Sequence, residues 1–68
     1  MPEKYYLREL RARKRMTQAQ VAKELGVSPQ TYCAWERDLT GVAIGKMLVI
    51  ADFFECPIDK IFLKYDFN

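Results

Sequence analysis

Residues 17–37, TQAQVAKELGVSPQTYCAWER, contain two short helical segments and the break between them. Ser28 is a helix N-cap residue type, and Pro29 after it occupies the one helix position where a missing backbone N–H costs nothing. Gly26, two residues earlier, is suited to the left-handed conformation that ends the preceding helix. One helix therefore stops and another starts within about three residues, which predicts helices over about 18–25 and 29–37 packed across a tight turn.

The two segments carry different faces. On the first, Val21, Ala22 and Leu25 form one apolar stripe, while Gln18, Gln20, Lys23 and Glu24 stay polar. On the second, Tyr32, Trp35 and Glu36 share one face, and Gln30, Cys33, Ala34 and Arg37 share the other. That other face has small residues at its middle and an Arg at its end. A merely solvated face would be filled with Lys and Glu, so this one suits close approach to another surface. Trp35 shares the inward face with Tyr32 and is expected in the core rather than as a base-stacking platform.

Across these segments the chain resembles the lambda-repressor/Cro-like (XRE-type) helix-turn-helix family of DNA-binding regulators. The family's opening of its second helix stands here as Met16-Thr17-Gln18, its A-x-x-L-G-V turn as Ala22 to Val27, and its recognition helix as Ser28 to Arg37. The match continues without a gap through a fourth-helix pattern (Ile44, Met47, Leu48, Ile50, Ala51) and a short fifth helix (Pro57 to Phe62), about 60 of the 68 residues.

The resemblance implies an all-α, five-helix lambda-repressor-like DNA-binding domain over residues 1–68, to which the pattern of the tail adds a short C-terminal β-strand. The helices are expected at about 3–15, 18–25, 29–37, 44–54 and 58–63. Leu7, Leu10, Met16, Val21, Leu25, Val27, Tyr32, Trp35, Ile44, Leu48, Ala51, Phe54, Ile58, Ile61 and Phe62 are the expected core. In the family an Arg of the first helix pairs with a Glu near the end of the recognition helix, and the alignment puts Arg11 and Glu36 at those positions. Arg carries five N–H donors, so such a pair leaves some free for a phosphate.

Groove geometry then assigns roles. A helix fits the major groove of B-DNA with its N-terminal residues at the base edges, and a Gln amide can pair with adenine N6 and N7. Gln30 is the expected principal reader, with Pro29, Cys33 and Ala34 offering apolar surface to thymine methyl groups. Arg11, Thr17, Gln18, Ser28, Thr31 and Arg37 are expected at phosphates, Gln18 at the helix N-terminus setting the docking register. One helix reads only a few base pairs, so a homodimer on an inverted repeat is expected, its recognition helices about 34 Å apart.

The tail, residues 63–68, alternates Leu63, Tyr65 and Phe67 with Lys64, Asp66 and Asn68, the period of a short strand with one buried face. Pairing of this strand with its counterpart in a second copy is the expected dimerisation contact. The alternative is pairing within the chain, against Tyr5-Tyr6.

Charge supports a polyanion partner only locally. The chain carries 11 Lys and Arg against 9 Asp and Glu, net +2. Seven of the bases but only Glu3 and Glu9 of the acids lie in residues 1–23, a local +5, against −3 for the remainder. The run RARKR at 11–15 would sit at the C-terminal end of the first helix, where cations also suit the helix dipole. Cys33 and Cys56 have no CxxC spacing and there is no His, so no metal, cofactor or disulfide is implied; Cys56 reads as a buried thiol. With no His, no Gly-rich phosphate loop and no nucleophile beside a base, an enzyme is not expected. There is no apolar run of about 18 residues and no apolar leader, so the expected location is cytoplasmic, away from membranes.

The expected function is therefore a sequence-specific transcriptional regulator of double-stranded DNA, a repressor rather than an activator. The alternative is an antitoxin or accessory module that grips an unknown protein partner and binds DNA secondarily. Three departures from the family pattern bear on the structure. Asp38 replaces a helix-ending Gly, Val42-Ala43 replace a Pro-Ser start of helix 4 and leave Thr40 or Gly41 to cap it, and Gly45 lies inside that helix, where a close approach of DNA or another helix would explain it.

Overall fold

A computed structural model describes residues 3–64 of the chain. Four α-helices follow in order, α1 (Leu7–Arg13), α2 (Gln18–Leu25), α3 (Pro29–Arg37) and α4 (Ile44–Phe54), and a single 3₁₀ turn (Ile58–Lys60) closes the described chain. The helical architecture agrees with expectation, but the fifth helix is reduced to that turn, and helix 1 begins at Leu7 rather than near residue 3.

The local signals in 17–37 act as read. The Thr17 hydroxyl accepts from the Gln20 N–H at 3.1 Å, while the Gln20 side-chain carbonyl accepts from the Thr17 N–H at 2.8 Å, a reciprocal cap that fixes the start of α2. Gly26 ends the helix in the left-handed region at φ 74°, and Ser28 then accepts from the Thr31 N–H at 3.1 Å to open α3. The turn leading into α2 is made by Arg15 at φ 56°.

Packing runs α2 on α3, α1 on α3, α2 on α4, and α4 on the 3₁₀ turn. Leu7, Leu10, Val21, Ala22, Leu25, Tyr32, Leu39, Ile50, Ala51, Phe54, Cys56 and Ile61 are buried, with Met16, Val27, Trp35 and Ile58 packed against them. Three expected core residues are not there. Ile44 is 66% exposed and Leu48 55%, and Phe62 is also exposed. The cause is the composition of α4, apolar nearly all round, so that periodicity does not fix which stripe turns inward. The inward stripe is Ile50, Ala51 and Phe54; Ala51 and Phe54 are inside as expected, and Ile50 stands there in place of Ile44 and Leu48. Leu39, only 1% exposed, was not among the expected core residues because it is an isolated apolar residue between two polar stretches.

The tail also differs from expectation. The Tyr5 N–H donates to the Lys60 carbonyl and the Phe62 N–H to the Tyr5 carbonyl, both at 2.8 Å, and the Leu39 N–H donates to the Leu63 carbonyl. These form two isolated bridges, Tyr5 with Ile61 and Asp38 with Lys64, rather than a strand. Up to Lys64 the tail is thus tied to its own chain; Tyr65 and Phe67 lie outside the described residues. Asp38 leaves α3 in extended conformation (φ −158°) instead of a left-handed one. Its carboxylate accepts from both the Thr40 N–H, at 2.8 Å, and the Thr40 hydroxyl. Thr40 is therefore not a cap for α4, whose N-cap position is Ala43, with no side-chain cap. No atom lies within 4 Å of a Cβ added at Gly45, so no helix of this chain explains that residue.

Leu39→Ala should cost about 2–5 kcal/mol of stability in urea denaturation, as deletion of a buried Leu does, whereas Leu48→Ala should stay within about 0.5 kcal/mol. Equal losses would contradict this assignment of the core.

Candidate nucleic-acid interface

Helix α3 has a single buried residue, Tyr32, which is wholly inaccessible. Its ring meets Trp35 edge-on, with centroids 6.4 Å apart, and Trp35 is half-buried in the core as expected. Around the helix from Tyr32, Pro29, Gln30 and Ala34 are exposed and Cys33 half-exposed. The residues expected to read base edges therefore form one accessible surface on the first turns of α3, with small side chains that let the backbone approach a partner closely.

The end of α3 is held by Glu36. Arg11 Nε donates to Glu36 Oε2 at 2.6 Å and Nη2 to Oε1 at 3.4 Å, while Gln18 Nε2 donates to Oε1 at 2.9 Å. Arg11 Nη1 also donates to the Met16 carbonyl at 3.1 Å. One carboxylate thus ties α1, the start of α2 and α3 together. Of the five N–H groups of Arg11, three are committed and two remain. Gln18, expected only at a phosphate, has a second role here as a donor to Glu36. Its place one residue after the Thr17 cap was the available signal, but the Glu it would meet is 18 positions away in sequence.

The Glu36 side chain is only 8% exposed. Burial alone would push its carboxyl up, but the hydrogen bonds from Arg11 and Gln18 outweigh this and hold it below the ordinary carboxylate range. The Tyr32 hydroxyl, fully buried next to this pair, closes no hydrogen bond of its own; burial, with the Glu36 charge beside it, pushes the phenol well above its usual range.

The expected phosphate residues divide into two groups. Thr17 and Ser28 are occupied as caps, and Ser28 also donates to the Thr31 hydroxyl at 2.9 Å, which leaves the Thr17 and Thr31 hydroxyl hydrogens free to point outward. Arg37 is exposed at the end of α3. Thr17 and Gln18 stand at the N-terminus of α2, and Ser28 and Thr31 at that of α3, two separate ends where the helix dipole favours an anion. Of the expected dimerisation residues, Leu63 has an exposed side chain but a backbone engaged by Leu39.

A family model described as helix-turn-helix matches residues 7–61, most of the chain and all four helices. The chain belongs to the XRE-type helix-turn-helix family. As a member of that family it is a DNA-binding regulator, and α2 and α3 are its helix-turn-helix. No curated protein and no solved structure is matched. Among the described residues of this helix-turn-helix protein, no helix is long and apolar enough to cross a membrane.

Because the Glu36 carboxyl is lower in the folded than in the unfolded protein, its contribution is complete above the unfolded value of about 4.3 and fades as pH falls through the folded one. Glu36→Gln should therefore cost about 1–3 kcal/mol at neutral pH, and the gap from the parent should close progressively below about pH 4.5. Urea denaturation across pH measures this; a gap unchanged down to pH ~2 would contradict it.

Proposed function

We propose that the protein is a transcriptional repressor that binds an inverted-repeat operator as a homodimer, with α3 in the major groove. The observation that carries this reading is the division of α3 into one buried anchor, Tyr32, and an accessible first turn bearing Gln30 with Pro29, Cys33 and Ala34. Gln30 reads an adenine edge, and the three small or apolar residues meet thymine methyl groups. Thr17 and Gln18 seat one phosphate at the N-terminus of α2, and Ser28 and Thr31 a second at that of α3. Arg11, with two N–H groups unspent, and Arg37 reach flanking phosphates.

Size is compatible with the second copy. The domain measures 33 × 26 × 25 Å, which lets two copies side by side present their recognition helices about one turn of DNA, 34 Å, apart. Leu63, Tyr65 and Phe67 of the tail are proposed at the contact, Leu63 through its exposed side chain rather than its backbone. The fold requires no extracellular chemistry, and a cytoplasmic location is part of the proposal.

A second reading, an antitoxin or accessory module gripping another protein, is favoured by the exposed Ile44, Leu48 and Val49 on α4, since apolar residues on one helix left outside the core are a common mark of a protein contact.

Selection of bound sequences from random duplex DNA, repeated across salt concentrations, separates the two. The operator reading predicts an inverted repeat. Gln30→Ala should relax discrimination at one position by about 1–3 kcal/mol, and Gln18→Ala should weaken binding to all sequences and lower the salt slope by about 1. Folded protein that selects no sequence would overturn it in favour of the protein-contact reading.

A further inference from the structure

A recess lies away from α2 and α3, between the C-terminal half of α1, the end of α4 and the 3₁₀ turn. Its volume is about 260 Å³, below that of drug-sized pockets and enough for a ligand of about a dozen non-hydrogen atoms. Arg13, Lys14 and Lys60 line it, with Glu55 as the one carboxylate. Tyr5 and Phe54 add flat apolar wall.

Three cationic residues around one recess repel one another unless something answers their charge. Among the described residues, the ion pair present is Arg11 with Glu36, and no carboxylate is in ion-pair contact with Arg13, Lys14 or Lys60. Arg13 is instead fixed by stacking, its guanidinium 4.3 Å from the Tyr5 ring centroid, which holds the plane while leaving the N–H edge unspent. Lys14 is similarly placed, its Nζ 4.9 Å from the Phe53 ring centroid. The Lys60 backbone is pinned by its carbonyl, which accepts from the Tyr5 N–H at 2.8 Å. The Arg13 and Lys14 cations are thus held against aromatic rings, and the backbone that carries Lys60 is fixed, without any of the three charges being neutralised.

We propose that this recess binds a small organic dianion with a flat apolar body, a dicarboxylate or its phosphorylated equivalent. The charge follows from three cations less one carboxylate, a local +2. The body follows from Tyr5 and Phe54, and the size limit from the volume. Arg13 takes one anionic group by its N–H edge, as guanidinium groups take carboxylates and phosphates, and Lys60 takes the other. Because no residue of α2 or α3 lines the recess, this ligand is distinct from the phosphates of a duplex on the helix-turn-helix.

Titration of the ¹⁵N-labelled full chain with phthalate, followed by amide shifts, tests this. Benzoate, with one charge, and inorganic phosphate, with no apolar body, serve as comparison ligands. Saturable shifts are expected at Lys14, Glu55, Cys56 and Lys60, with benzoate and phosphate each bound about tenfold more weakly. The exposed double variant Arg13→Gln, Lys60→Gln should keep a native spectrum and lose about tenfold or more in phthalate affinity. Three results would overturn the proposal: no saturation at millimolar phthalate, shifts confined to the N-termini of α2 and α3, or undiminished binding by the double variant.

Discussion

Helix α3 is attached to the rest of the protein by the ring of Tyr32, wholly inside, by the half-buried Trp35 packed against the core, and by the carboxylate of Glu36 one turn after Tyr32. A nine-residue helix with one fully buried side chain has little apolar surface to fix its rotation about its own axis. Glu36 supplies what Tyr32 lacks, because its two oxygens receive hydrogen bonds from α1 and from the first turn of α2 at once. Charge-assisted hydrogen bonds are directional where apolar contacts are not, so this one carboxylate orients the exposed face carrying Gln30.

The same network explains how helix start, docking and charge are linked. Gln18 sits one residue past the reciprocal cap of Thr17 and Gln20, so the cap that begins α2 also places the amide that meets Glu36. Arg11 spends three of its N–H groups on Glu36 and Met16 and keeps two uncommitted. A group half committed to the fold reaches an outside anion with less loss of side-chain freedom than a solvated Arg would suffer.

Much of this was legible in the residues. Ser28-Pro29, Gly26 and the polar-apolar alternation of 17–37 each act through the nearest three or four residues, so the bounds of α2 and α3 follow from local chemistry alone. The Arg11–Glu36 pairing, drawn from the family resemblance, is present as an ion pair. What failed was decided at longer range. In α4 nearly every position is apolar, and which stripe faces inward depends on α2 and the 3₁₀ turn, so its pattern does not tell Ile50, which is inside, from Ile44 and Leu48, which are outside. Leu39 and the exit at Asp38 depend on a backbone bridge to residues 63–64, some 25 positions later, that no local pattern signals. The alternating tail reads as a strand, but in the described part its backbone partners, Tyr5 and Leu39, belong to the same chain.

The account rests on Arg11 and Glu36 acting together to orient α3, and a double-mutant cycle measures that directly: Arg11→Met, Glu36→Gln and the pair, each assayed for stability and for affinity to the selected duplex. Coupling above about 1 kcal/mol in both quantities is the predicted result, since either single change leaves the other group without its partner. Additivity within about 0.3 kcal/mol in both would contradict it, and would mean that Tyr32 and the packing of α2 orient the helix unaided.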